Sequence, residues 1–112
     1  MNLTVTEHVM RTALVAPQQR LDAFSAPELR VHLNQLFESG VRRFVVDLSE
    51  VPFLDSAGLA ALVSLLKRAR QAGGDVRLVW PTEEGARRIL HLTKFDRVFS
   101  MSESAATALS NF

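Results

Sequence analysis

A serine and an aspartate stand where the sequence passes from a predicted buried strand into a predicted helix. Residues 44–48 are apolar at nearly every position, and a helical spacing of apolar residues begins at Leu59, just after Asp55 and Ser56. The backbone N–H groups and the dipole of a helix N-terminus favour negative charge. Ser56 is therefore placed to hold or receive a phosphate. The alternative is that Ser56, alone or with Asp55, caps the helix by accepting hydrogen bonds from its free N–H groups.

Two neighbouring residues bear on this phosphate chemistry. Gly58 falls in the first turn of the helix, where glycine is unfavourable, so we expect it to permit the close approach of another backbone. Asp47 ends a predicted strand, and Pro52 follows it five residues later. This pattern resembles the phospho-acceptor segment of response-regulator receivers. That chemistry needs an acidic pair to hold magnesium, and residues 12–20 contain no acidic side chain. We therefore expect Asp47 to accept hydrogen bonds from turn amides.

The other polar residues predict neither a catalytic site nor a metal site. The chain has no cysteine, and its histidines (His8, His32 and His91) have no partner at metal-ligand spacing. No G-x-S-x-G segment is present. Gly73-Gly74 precedes a strand rather than a helix, so it is not a phosphate-binding loop. We expect no enzymatic activity, no metal and no cofactor.

Length and charge limit the remaining classes. A chain of 112 residues predicts one domain, residues 1–112. With 13 basic and 12 acidic side chains, the formal net charge is +1, which argues against nucleic acid or an acidic membrane as the main partner. The longest apolar run, Leu59–Leu66, is interrupted by Ser64 and is far shorter than the roughly 20 residues that span a bilayer. The first residues lack a signal-peptide pattern. We expect a soluble cytoplasmic protein that is monomeric when free.

The N-terminal half predicts strands and one helix. Alternating apolar residues predict an edge strand at Leu3–Val9 and a second strand at Thr12–Ala16. Their short connection predicts antiparallel pairing. Ser25 and Glu28 form a capping-box pattern at the start of a helix, which Gly40 ends.

Beyond Gly40, strands and helices alternate. Strands are predicted at 44–48, 76–80 and Val98–Met101. Helices are predicted from Ser56 to about residue 71, after Thr82, which is the predicted N-cap, and from Ser102 or Ser104. Such alternation predicts right-handed crossovers and parallel pairing. The expected fold class is α/β: a mixed sheet of four to five strands with about four packed helices. Ser56 then lies at the carboxyl ends of the strands, where ligand sites gather in such folds.

Several sequence segments, taken in their order along the chain, support the predicted fold and the role of Ser56. They are Arg20-Leu21-Asp22, Ala26–Leu29, Gly40–Leu48, Phe53–Leu59, Ala72–Gly74, Arg88–Leu90 and Leu92–Phe95. Together they resemble the anti-sigma-factor antagonists, the bacterial form of the STAS domain. The resemblance covers nearly the whole chain, and the Asp-Ser-x-Gly-Leu core at 55–59 is its most specific part. It implies the STAS fold for the single domain.

The resemblance also implies a function. Ser56 matches the phospho-acceptor of a partner anti-sigma factor that is itself a serine kinase. The unphosphorylated antagonist binds that partner and frees the sigma factor for transcription; the phosphorylated form is released, and a serine phosphatase resets it. The implied partner-binding residues are Asp22, Asp55, Ser56, Ala57, Gly58 and Leu59. Asp22 matches a loop aspartate that lies near the serine in the family.

The chain departs from the family pattern in three places. Gln19 and Lys94 stand where glycine is common, and Ala57 replaces a second hydroxyl residue. Other STAS proteins serve as subunits of stress-signalling complexes or regulate a lipid-transport ATPase, and either role is the alternative function. The lipid-transport branch usually has threonine at the position of Ser56. The serine in this chain therefore favours the antagonist function over that branch.

Overall fold

The computed structural model describes residues 1–6, 9–110 and 112. Strands and helices alternate along them as the sequence predicts. The elements are β1 (Arg11–Val15), α1 (Ala26–Glu38), β2 (Val41–Asp47), α2 (Ser56–Gln71), β3 (Asp75–Val79), α3 (Glu84–Leu92), α4 (Phe95–Val98), β4 (Ser100–Ser102) and α5 (Ala105–Ser110). The α/β fold class is confirmed. Four strands fit the predicted four to five, and the short helix α4 is an addition to the four predicted helices.

The four strands form one sheet in the order β1-β2-β3-β4, and all three pairings are parallel. The expectation of a mixed sheet with an antiparallel N-terminal pair is therefore wrong for the described residues. The predicted second strand is β1, and it reaches β2 through the crossover helix α1. Parallel neighbours require such crossovers. Because all four strands run in the same direction, their carboxyl ends lie at one edge of the sheet.

The predicted strand at Leu3–Val9 is also wrong where the structure describes it. Leu3, Val5 and Val9 lie outside any strand, and these residues are 76%, 71% and 92% exposed. The part of the prediction at residues 7–8 lies outside the described residues. Apolar alternation identified a segment that suits a strand, but residues 3–16 hold no glycine, proline, asparagine or aspartate to reverse the chain.

The core lies mainly on the face of the sheet that α1 and α2 cover. Phe44 and Val46 of β2 point to this side and are completely buried with the leucines of α2. Val45 points to the opposite side, where it packs with Val79 and with Ala108 of α5. Burial of three successive residues confirms that the central strand is covered on both faces.

The start of α1 differs in detail from the predicted capping box. Ser25 occupies the N-cap position, but its side chain makes no capping hydrogen bond to the helix. Its hydroxyl instead donates to the Arg20 carbonyl (2.6 Å) and accepts from the Asp22 N–H (3.0 Å). The Ser25 hydroxyl therefore forms its hydrogen bonds within the loop before α1. The capping-box pattern had predicted a hydrogen bond to the helix instead.

The predicted cap of α3 is wrong as well. Glu83, not Thr82, occupies the N-cap position, and the Thr82 hydroxyl donates to the Ser49 carbonyl (2.7 Å). This bond ties the start of α3 to the loop after β2. At the other end, Lys94 adopts a left-handed conformation with φ of 63°, which explains why glycine suits that position.

Candidate functional site

Asp55 caps helix α2 and leaves the Ser56 hydroxyl free. The Asp55 carboxylate accepts hydrogen bonds from the N–H groups of Ala57 (2.9 Å) and Gly58 (3.2 Å). Ser56 is the first residue of the helix and is exposed, and its hydroxyl makes no hydrogen bond to any described residue. The predicted position of Ser56 at a helix N-terminus is confirmed. The alternative, a capping role for the serine side chain, is wrong because Asp55 performs it.

Backbone pairing brings the loop of Asp22 beside the loop of Ser56. Leu21 and Leu54 form a parallel bridge. The Leu21 N–H donates to the Phe53 carbonyl (2.9 Å), and the Asp55 N–H donates to the Leu21 carbonyl (3.1 Å). The structure therefore places two segments, about 30 residues apart in sequence, side by side at the carboxyl edge of the sheet.

Gly58 makes this approach possible. A Cβ atom at Gly58 would lie 2.4 Å from the Leu21 carbonyl oxygen and 2.9 Å from the Leu21 Cβ. The first turn of α2 therefore packs directly on the Leu21 backbone, which confirms the close approach that the glycine predicted.

Gly58→Ala tests this packing. The added methyl group must displace a backbone carbonyl, so we expect a loss of about 1–3 kcal/mol in the free energy of unfolding, as for other overpacked sites. Chemical denaturation measures it. Gly85→Ala is the matched control, because a Cβ there meets nothing within 4 Å and alanine is the better helix former. Equal stability of the two variants would contradict the assigned role of Gly58.

The carboxylate of Asp22 is engaged by its own loop. It accepts hydrogen bonds from the N–H groups of Ser25 (3.1 Å) and Phe24 (3.0 Å) and an ion-pair contact from Arg20 (3.4 Å). These contacts, the Ser25 N–H foremost, hold the pKa of Asp22 below its ordinary value, although partial desolvation acts in the opposite direction. No hydrogen bond joins Asp22 to Ser56 in the described part of the chain. Asp22 therefore shapes the loop beside Ser56 and leaves the serine unbonded.

The lowered pKa of Asp22 predicts a pH dependence of stability. Because the folded-state pKa lies below the unfolded one, the charged carboxylate stabilises the fold at pH values above the unfolded pKa, near 4. That contribution is lost as the pH falls through the folded pKa. We expect Asp22→Asn to be less stable than wild type at neutral pH and to lose less stability on acidification. Urea titrations at several pH values measure this; parallel pH profiles for the two proteins would contradict it.

An apolar groove opens beside Ser56 between helices α2 and α3. Its volume is about 430 Å³. Its walls are formed by Asp55, Ser56, Leu59, Ala60, Val63, Ile89, Thr93 and Phe95. Sequence reasoning missed this groove, because helical spacing identifies the apolar residues of each helix but does not show that α2 and α3 leave a gap between them. Of the predicted partner-binding residues, Leu59 is 4% exposed and Gly58 is buried.

The surroundings of Ser56 hold further features. The Arg20 guanidinium lies 4.3 Å from the centre of the Phe53 ring, three residues before the serine. Asp47 accepts a hydrogen bond from the Ser49 N–H (2.9 Å), which confirms the predicted turn role. Three or more metal-ligating side chains do not come together anywhere in the described residues. Nor do these residues include a helix with the length and apolarity to cross a membrane.

Comparison with known proteins places this geometry in a family. The family model described as "STAS domain" matches residues 1–108. A protein from Thermotoga maritima, named as a candidate anti-sigma factor antagonist, is 30% identical over 76 residues, which cover 68% of this chain. The aligned part spans 66% of the relative, slightly less than two thirds of its length.

Two solved structures share the fold. The crystal structure of a candidate anti-sigma factor antagonist from Thermotoga maritima has a TM-score of 0.82 and 26% identity, covering 89% of this chain and 86% of its own. An anti-sigma factor antagonist from Mycobacterium paratuberculosis has a TM-score of 0.80 and 26% identity, covering 96% and 90%. Because the family model matches residues 1–108, the chain belongs to the STAS-domain family.

Proposed function

We propose that the chain is an anti-sigma factor antagonist that controls sigma-factor-dependent transcription by binding an anti-sigma factor in the cytoplasm. The partner is also a serine kinase, and its phosphorylation of Ser56 ends the complex. A serine phosphatase restores the binding form. The protein itself catalyses no reaction. The names of the relatives support an anti-sigma factor as the partner class.

One observation carries the proposal: Ser56 is exposed at the first position of α2, and its hydroxyl bonds to none of the described residues, because Asp55 serves as the cap. In the phosphorylation step the Ser56 Oγ attacks the γ-phosphorus of ATP held by the kinase. The Oγ–P bond forms, the bond to the bridging oxygen breaks, and ADP leaves. The hydroxyl proton passes to a base of the kinase. A serine whose hydroxyl capped its own helix would have to break the capping hydrogen bond before it could attack the phosphate.

The groove beside Ser56 supports the same proposal. Its apolar wall on α2 and α3 gives a partner an area to desolvate next to the acceptor hydroxyl. A phosphate adds about −1.5 to −2 charges and three acceptor oxygens. At the rim of such a contact that charge must lose water, and it faces the Asp55 carboxylate. The helix N-terminus tolerates the phosphate, so the fold itself need not change.

Capture from the native cell tests the proposal. Immobilised wild-type chain should retain a protein with a serine-kinase domain, and ATP with magnesium should elute it while phosphate accumulates on the bait. Ser56→Ala bait should retain the same protein without release by ATP. Retention that ATP does not affect in either bait would instead indicate a permanent subunit of a stress-signalling or transport complex, and would overturn the proposed switch.

A further inference from the structure

Phe24 stands in water in the loop between β1 and α1, at the carboxyl edge of the sheet. The residue is 94% exposed, whereas every other aromatic residue in the described part of the chain is buried or partly buried. A single exposed apolar residue is common on protein surfaces, so exposure alone identifies no contact. Its surroundings carry the argument.

Hydrogen bonds fix the backbone that carries Phe24. The Phe24 N–H donates to the Asp22 carboxylate (3.0 Å), and the Ser25 N–H donates to the same carboxylate (3.1 Å). The Ser25 hydroxyl donates to the Arg20 carbonyl (2.6 Å) and accepts from the Asp22 N–H (3.0 Å). The loop is thus ordered before any partner arrives, so a partner that covers the ring pays little of the entropy of ordering a loop.

Leu21 ties the loop of Phe24 to the loop of Ser56. The Leu21 carbonyl accepts the Asp55 N–H (3.1 Å), and the first turn of α2 packs on the same carbonyl at Gly58. Phe24 follows Leu21 by three residues, and three residues of chain reach at most about 11 Å. A protein interface of standard size covers about 800 Å² on each partner, or a disc with a radius of roughly 16 Å. One partner that contacts Ser56 therefore reaches Phe24 as well.

Phe24 and the apolar groove lie on opposite sides of Ser56. Phe24 lies just before α1, and α1 packs on one side of α2. The groove lies on the other side of α2, between α2 and α3. The serine at the start of α2 is therefore flanked by an exposed aromatic ring on one side and by an apolar groove on the other.

We propose that Phe24 anchors the complex with the anti-sigma factor: its ring enters an apolar pocket of that partner while another part of the partner fills the groove. The inference rests on the proposed function, because it takes the same partner and adds a binding residue. Aromatic residues are enriched among the few that dominate the binding energy of interfaces. Apolar contacts on both sides of Ser56 fix the direction in which its hydroxyl meets the kinase.

The affinities of Phe24 variants for the anti-sigma factor test the anchor. Phe24→Ala should bind roughly 30-fold more weakly, as expected for a residue that dominates an interface, and faster dissociation should account for most of the loss. Phe24→Leu keeps a large apolar side chain and should bind with an affinity between those of wild type and Phe24→Ala. Val31→Ala is the matched control, because Val31 is 54% exposed on α1 and should be replaceable without effect.

Two further measurements separate an anchor from damage to the fold. Phe24→Ala should keep the free energy of unfolding of wild type, because the ring is exposed in the free protein. In kinase assays the variant should raise the KM for this chain and leave kcat unchanged, because the anchor binds equally in the ground state and the transition state. A lowered kcat at unchanged KM would contradict the anchor.

The outcomes distinguish the anchor from the proposed function. Wild-type affinity of Phe24→Ala, or an equal loss in Val31→Ala, would overturn the anchor while ATP still releases the partner from the wild-type chain. If no partner that ATP releases binds the wild-type chain, the proposed function is wrong, and the anchor is wrong with it.

Discussion

Ser56→Asp should bind the anti-sigma factor roughly 100-fold more weakly than wild type, while Ser56→Ala binds normally and cannot be phosphorylated. Two like unit charges about 5 Å apart repel by about 0.8 kcal/mol in water and by about 3 kcal/mol at the effective dielectric constant of about 20 of a covered interface, so covering them costs about 2.5 kcal/mol of binding free energy. A loss of that size corresponds to roughly two orders of magnitude in affinity. The charge beside the new aspartate in sequence is the Asp55 carboxylate, which caps α2.

Isothermal titration with the captured partner measures these affinities. Ser110→Asp, on the exposed side of α5, is the control and should bind as wild type. Kinase assays on Ser56→Ala should leave no phosphate on Ser25, Ser49 or Ser64. Full phosphorylation of that variant, or wild-type affinity of Ser56→Asp, would show that Ser56 is not the switch.

A charge placed inside the groove should weaken binding at least tenfold without loss of stability. Ala60 lies one helical turn after Ser56, is exposed, and lines the groove. In Ala60→Glu the free protein keeps its carboxylate in water, whereas a partner that covers the groove must desolvate it. Ala106→Glu on α5 is the matched control. If both variants bind equally well, the groove is not part of the interface.

The main features of the site follow from local rules, and for this reason they could be predicted from the sequence. An aspartate and a serine before an apolar helical stripe predict a helix start, and the structure has it at Asp55 and Ser56. Gly58 predicted close backbone contact because its position is otherwise unfavourable for glycine. The identity of the contacting backbone, Leu21, could not be read from the sequence, because it depends on how two distant loops meet.

The wrong predictions concern side chains and segments for which the sequence pattern fits more than one bonding or packing partner. Ser25 and Thr82 both match the sequence pattern of a helix cap. In the structure each hydroxyl instead donates a hydrogen bond to a backbone carbonyl of a loop. Alternation at Leu3–Val9 suits a strand without stating which strand it pairs with. The groove beside Ser56 depends on the spacing of α2 and α3, and helical periodicity does not encode that distance.

The affinity of one partner for the phosphorylated and unphosphorylated forms of this chain tests the central claim most directly. Moving a complex from almost fully bound to almost fully free requires about 5.5 kcal/mol, or roughly 10⁴-fold in affinity. Protein carrying one phosphate on Ser56, verified by mass spectrometry, should therefore bind the anti-sigma factor at least 10³-fold more weakly. Its amide spectrum should change only near the start of α2. Equal affinity of the two forms would contradict the account.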